Sequence, residues 1–192
     1  MRDDGVRNKK LSEMTTEELW RLFPIFLTEH NAQWATWYAE EAAALKALLP
    51  RGAELDHVGS TAINGIWAKP IIDILAEVDD DCDLNSVADV LARNDYIIMS
   101  VGPSRVSLNK GYTERGFAER VFHLHLQHKS AKDEVLFRDH LNAHADVAKE
   151  YERLKLRLWK QYEHDRDGYT AAKSEFVKKY TEAAKKSLGI SE

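Results

Sequence analysis

Apolar and polar positions change rhythm twice along the chain. Residues 1–10 are polar and predicted to fray. From Thr15 the spacing is helical. Leu19, Trp20, Leu22 and Phe23 form an apolar face, Glu17 and Glu18 occupy the first turn, and Thr15 or Thr16 supplies the capping hydroxyl. Pro24 is expected to kink or restart this helix. A second helix is predicted over 31–49, carrying Trp34, Trp37, Tyr38 and Leu45, and Pro50, Arg51 and Gly52 end it.

The period then shortens. Residues 55–58 read as extended, Gly59 and Ser60 break the run, and 71–78 reads as a strand between Pro70 and an acidic turn over 79–83. A helix is predicted over 84–94, a strand over 96–101, and a loop rich in Gly, Ser, Asn and Lys over 102–116. The alternation over 121–127 predicts the third clear strand. From Asp133 onward helical spacing returns through Leu136, Phe137, Leu141, Val147, Tyr151, Leu154, Leu158 and Tyr162. Gly168 is expected to interrupt it before a last helix with Tyr169, Phe176, Val177 and Tyr180. The predicted fold is α+β: a small mixed sheet core over 51–130, a helical extension over 1–50, and a helical region over 131–192 packed on the core as one compact unit.

Composition narrows the function classes. A chain of 192 residues can bury a sizeable core without staples. Its 27 basic and 32 acidic side chains leave a formal charge of −5, which argues against a long nucleic-acid partner. One cysteine, Cys82, allows neither an internal disulfide nor a multi-cysteine zinc cage. No apolar run approaches the roughly 20 residues that span a bilayer, and the charged opening MRDDGVRNKK lacks the apolar core of a secretory signal. These features predict a soluble, cytoplasmic protein without a membrane partner. The acidic run through Glu77, Asp79, Asp80, Asp81 and Asp83 lacks the spacing and glycine of a calcium loop and reads as a solvated strand-end turn.

The segment HVGSTAINGIWAKPIIDIL, residues 57–75, carries the most chemistry. Gly59 permits close backbone approach, Ser60 can cap a short helix, and exposed N–H groups at such a start suit a phosphate. Asp73 stands inside an otherwise apolar strand. A carboxylate there must be paired, hydrogen-bonded or metal-bound. A capped turn followed by a strand whose Asp pairs with Lys69 or an arginine accounts for the same residues.

A Gly-Ser turn followed some twelve residues later by an Asp-bearing strand resembles the signature of the nucleotidyltransferase fold superfamily. The full 57–75 string is similar to the GrpB family, also called UPF0157, within that superfamily. The blocks NKGYTERGFAERVFHLHL (109–126), FRDHLNAHADVAKEYERLK (137–155) and DGYTAAKSEFVKKY (167–180) also resemble that family's blocks, so nearly the whole chain is covered. In active relatives the Gly-Ser turn positions a nucleoside triphosphate, and an acidic pair on the next strand plus a third acid hold two divalent metals. The resemblance therefore implies a nucleotidyltransferase-type sheet. It also implies transfer of a nucleotidyl or phosphoryl group from a nucleoside triphosphate, or another phosphorylated small molecule, to an acceptor. Some GrpB-like domains are fused to a dephospho-coenzyme A kinase.

This sequence departs from that pattern. Asp73 matches the first acid, but the position two along is Leu75, and Glu77 lies about 13 Å away along an extended strand. The third strand offers His123 and His125 on one face instead of an acid. The expected catalytic set is thus Asp73, His123 and His125. A single ion (Mg, Mn or Zn) would fall to Asp73 and His125; without metal, His125 would act as base or phosphate ligand. Phosphate contacts are expected from Gly59, Ser60, Lys69, Lys110, Arg138, Lys155 and Lys173. Tyr151 with Lys155, and Tyr169 with Lys173, each share a helix face. The missing second acid also fits a catalytically degenerate nucleotide- or small-phospholigand-binding protein, or a partner-binding module.

Overall fold

The computed structural model describes residues 9–130 and 132–190; most of the polar opening, 1–8, lies outside the described residues. The elements are α1 (Thr16–Leu22), α2 (Gln33–Lys46), β1 (Glu54–Val58), β2 (Ile72–Val78), α3 (Leu84–Ala92), β3 (Ile97–Val101), β4 (Arg105–Thr113), β5 (Gly116–His128), α4 (Asp133–Ala143), α5 (Ala145–Gln161) and α6 (Arg166–Ser187). This is the α+β arrangement the hydrophobic pattern predicts.

Local chemistry explains the element ends. Thr15 caps α1 by accepting from the Glu18 N–H, while the Glu18 carboxylate accepts from the Thr15 N–H at 2.9 Å. Pro24 neither kinks nor restarts the helix. The chain leaves α1 extended, with the Ile25 N–H donating to the Glu163 carbonyl at 2.8 Å and Thr28 bridging Ala68. Asp83 caps α3 by accepting from the N–H groups of Asn85 and Ser86. Gly168 does not interrupt a helix either. It sits in the first turn of α6, where its N–H donates to Asp165 Oδ1 at 2.8 Å and an ideal Cβ would stand 2.3 Å from Asp165 Oδ2.

The five strands run in the order β1-β2-β5-β4-β3, with β2 and β5 parallel and the other neighbours antiparallel. The main correction concerns 102–116, expected as a loop. Residues Arg105–Thr113 form β4, paired on both sides. Val106 and Leu108 are fully buried, and the intervening Ser107 and Asn109 point to the opposite face. Ser107 and Asn109, which helped give the segment a loop-like composition, belong to that second face. Gly111, at φ +89°, marks the bulge where the β4–β5 register shifts between Lys110 and Tyr112. β5 also exceeds the expected 121–127 at both ends.

The sheet divides the molecule into two environments. On one face Ile72, Ile74, Val106, Leu108, Phe122, Leu124 and Leu126 join Trp34, Leu45, Val87 and Leu91 from α2 and α3 in the main core. On the other face stand Asp73 and His125, under the C-terminal helices. There Ile63, Ile66, Phe137, Leu141, Ala148 and Tyr151 make a second cluster. No helix among the described residues is long and apolar enough to cross a membrane.

Candidate functional site

The site begins at the end of β1. Val58 pairs with Asp73 of β2, so the next residue, Gly59, passes directly over the Asp73 side chain. Gly59 adopts φ +71° and ψ −170°, a conformation left essentially to glycine, and a 3-10 turn follows over Ser60–Ala62. The turn is braced from below. Thr61 Oγ1 donates to the Ile71 carbonyl at 3.0 Å and lies 3.0 Å from His57 Nε2, and the His57 ring stacks on Tyr38. Burial lowers His57 to about 4, so it is neutral and serves as a brace.

Parallel pairing of β2 with β5 sets Asp73 opposite His123. His123 Nδ1 lies 3.2 Å from Asp73 Oδ1, and His125 Nε2 lies 3.7 Å from the same oxygen. Burial would raise the Asp73 carboxyl. The hydrogen bonds and charges of the two imidazoles outweigh it and hold Asp73 well below the usual carboxylate range. Burial pushes His123 down despite Asp73, so the ionised Asp73 faces a neutral His123. The other nitrogen of His123, Nε2, is 2.8 Å from the Tyr112 hydroxyl, and burial pushes Tyr112 up to about 12. Tyr112 therefore remains a donor, and the geometry assigns the His123 proton to Nδ1. Sequence reasoning missed Tyr112 because it lay in the segment read as a loop.

Above this group lies a cavity of about 810 Å³ between the sheet and the C-terminal helices. Gly59, Ser60, Asp73, Tyr151 and Lys173 contribute to its lining. Lys173 Nζ sits 4.2 Å from the centre of the Tyr169 ring, and Lys155 Nζ 4.8 Å from that of Tyr151, so both Tyr–Lys pairs share faces as their spacing requires. Lys155 is fully buried and donates to the Trp67 carbonyl. Lys69 lines a second cavity of about 230 Å³ beside Phe26 and Phe117, and both Asp73 and Lys173 act on it electrostatically. Burial lowers Lys69 and Lys173 to about 8 and Lys155 to about 7. Arg166, which sequence reasoning also missed, adds a further positive charge felt by Lys69, Lys173 and His123.

Two of the basic residues expected at this site lie elsewhere. Lys110 pairs with Phe122 in register and shares its face, on the far side of the sheet from Asp73. There its Nζ meets Glu41 Oε1 at 2.8 Å and lies over the Tyr96 ring. Arg138 is held at the β1 edge, donating to the His57 carbonyl at 2.8 Å and to Asp139 Oδ1 at 2.7 Å. Neither lines the large cavity. Glu77 is buried farther along β2, where it accepts from the Ser130 N–H at 3.0 Å and meets Lys132 at 3.2 Å.

These residues fit a resident metal poorly. His123 spends both nitrogens, Leu75 replaces the second acid, and Glu77 is engaged elsewhere. Asp73 and His125 alone remain, too few for a four-ligand zinc site, and for Mg²⁺ they leave a single carboxylate whose Oδ1 already faces two imidazoles.

Comparison with known proteins places the chain among relatives of the same architecture. The family model described as GrpB protein matches residues 24–183. The chain is 33% identical over 165 residues to the glutamate-rich protein GrpB of Alkalihalophilus pseudofirmus, covering 80% of this chain and 91% of that one. It is 32% identical over 161 residues to the UPF0157 protein YqkA of Bacillus subtilis, covering 82% of this chain but 46% of that protein, so it spans about half of that relative's length. The crystal structure of the conserved protein GrpB from Enterococcus faecalis superposes with a TM-score of 0.72 at 28% identity, covering 85% of this chain and 99% of that one.

Proposed function

The chain belongs to the GrpB family, and on that premise we propose that it is a nucleotidyltransferase-like protein holding a nucleoside triphosphate, or a similar phosphorylated small molecule, in the cavity over Asp73. One observation carries this reading. Lys69 and Lys173 both act on the Asp73 carboxylate, Lys155 stands within electrostatic reach of Lys173, and among the described residues none of the three makes an ion pair. Desolvated cations that make no direct ion pair are costly, and an anionic ligand would offset that cost. The Gly59–Ser60 turn adds backbone N–H donors at the same wall, and 810 Å³ accommodates a nucleotide-sized ligand.

A thermal-shift series against nucleoside triphosphates, coenzyme A precursors and sugar phosphates tests the proposal. A ligand at 100 times its dissociation constant stabilises the fold by about 2.7 kcal/mol. Stabilisation that disappears in Lys173→Gln is expected. No stabilisation by any phosphorylated compound would overturn the reading.

A second reading adds group transfer to an acceptor. It is favoured by His125, whose buried Nδ1 has no hydrogen-bond partner among the described residues while Nε2 faces Asp73. An imidazole oriented by a carboxylate is the arrangement of a general base for an acceptor hydroxyl. Turnover with a detected acceptor, lost in His125→Ala but with ligand binding retained, is the result this reading requires.

A further inference from the structure

We infer that the site takes its phosphorylated ligand without a divalent metal, using lysine charge where a carboxylate-held ion would otherwise serve. The inference rests on the proposed ligand class and goes beyond it in specifying how the charge is met. Its first support is the donor inventory. Asp73 Oδ1 faces two imidazoles, and Oδ2 lies so close under Gly59 that an ideal Cβ there would be 2.2 Å away. His123 has no free nitrogen while Tyr112 holds Nε2. Glu134, an acid of the cavity lining that feels His125, is bound by Arg105 at 2.6 Å. Among the described residues no group of three His, Cys, Asp or Glu side chains is placed to hold a metal ion.

The second support is the charge inventory. Lys173 lines the cavity, and Lys69 and Lys155 stand within electrostatic reach of it. The nearest partners of these lysines are aromatic faces and one carbonyl: Phe117 at 5.1 Å for Lys69, Tyr169 at 4.2 Å for Lys173, and Tyr151 with the Trp67 carbonyl for Lys155. Such contacts orient a cation without neutralising it. A divalent ion seated over Asp73 would be repelled by Lys69 and Lys173, the two lysines that act on that carboxylate, and one carried in on the ligand would cancel the negative charge they attract.

Equilibrium dialysis of the full chain with ATP, and separately with inorganic pyrophosphate, tests this in EDTA and in excess Mg²⁺. Binding in EDTA is expected, with affinity unchanged within twofold or weaker in Mg²⁺. Lys69→Gln and Lys173→Gln should each weaken binding in EDTA by tenfold or more. Both positions are only partly buried, and circular dichroism of each variant verifies folding. Strengthening by Mg²⁺ beyond twofold, or retained affinity in both folded lysine variants, overturns the metal-free inference while leaving the ligand class standing. Failure of both probes to bind in either buffer overturns the ligand class itself.

Discussion

Asp73 occupies the space that a side chain on Gly59 would need: an ideal Cβ at Gly59 would stand 2.2 Å from Asp73 Oδ2 and 2.9 Å from Asp73 Cβ. The turn and the carboxylate are thus one device, made by the β1–β2 pairing that sets Val58 against Asp73. Gly59→Ala must accept a glycine-only backbone conformation and also displace Asp73 from His123. A loss of about 3 kcal/mol is expected, combining backbone strain with overpacking. Urea unfolding measures it. A loss below about 1 kcal/mol would show that Asp73 can move aside freely.

Lys110 and Lys173 should separate stability from ligand binding. Lys110 bonds Glu41, which also accepts from the Tyr96 hydroxyl at 2.9 Å, on the face away from the cavity. Lys110→Ala leaves the mostly buried Glu41 with one partner and should cost about 1–2 kcal/mol. Its affinity for phosphorylated ligands should match that of the unaltered chain. A tenfold loss of affinity in Lys110→Ala, measured by calorimetry, would place Lys110 in the binding machinery and contradict the face assignment.

The buried lysines should give the chain a stability that rises with pH. Lys155 is 1% exposed, and burial lowers it from 10.5 to about 7. Between those values the unfolded chain holds a proton that the folded chain releases, so folding gains from this group as pH rises from about 7. Below about 7 the folded chain carries the full cost of a buried cation. Lys155→Met removes that cost. Its stability relative to the unaltered chain should therefore be greater at pH 6 than at pH 9, by on the order of 2 kcal/mol. Parallel stability–pH curves for the two proteins would show that Lys155 does not titrate in this window.

Much of this organisation was legible along the chain, and the illegible part has a common physical origin. The Gly59 break, the Asp73 strand and the same-face placement of His123 and His125 are local features, fixed by glycine chemistry and the two-residue period of a strand. Which face Lys110 occupies depends on the β4–β5 register, and no local signal sets it. The loop-like composition of 102–116 hid β4 because one of its faces is polar, and that error also hid Tyr112, which completes the hydrogen bonding of His123. The place of Arg138 is likewise set at long range, since the His57 carbonyl that it bonds belongs to β1.

Tyr112 provides the sharpest test of how the imidazoles are set. Its hydroxyl, kept protonated by burial, donates to His123 Nε2 at 2.8 Å, which leaves the Nδ1 proton for Asp73 at 3.2 Å. Tyr112→Phe removes that donor while preserving the ring packing against Phe23 and Phe117. The buried nitrogen loses its partner, at a cost of about 1–3 kcal/mol. More diagnostic is the tautomer. Nitrogen-15 NMR of the unaltered chain should show His123 protonated at Nδ1 alone near neutral pH. The Phe variant should show exchange between the two neutral tautomers, because Nε2 no longer receives a proton donor. An identical His123 spectrum in both proteins would mean that Asp73 alone orients the ring and that the Tyr112 contact is incidental.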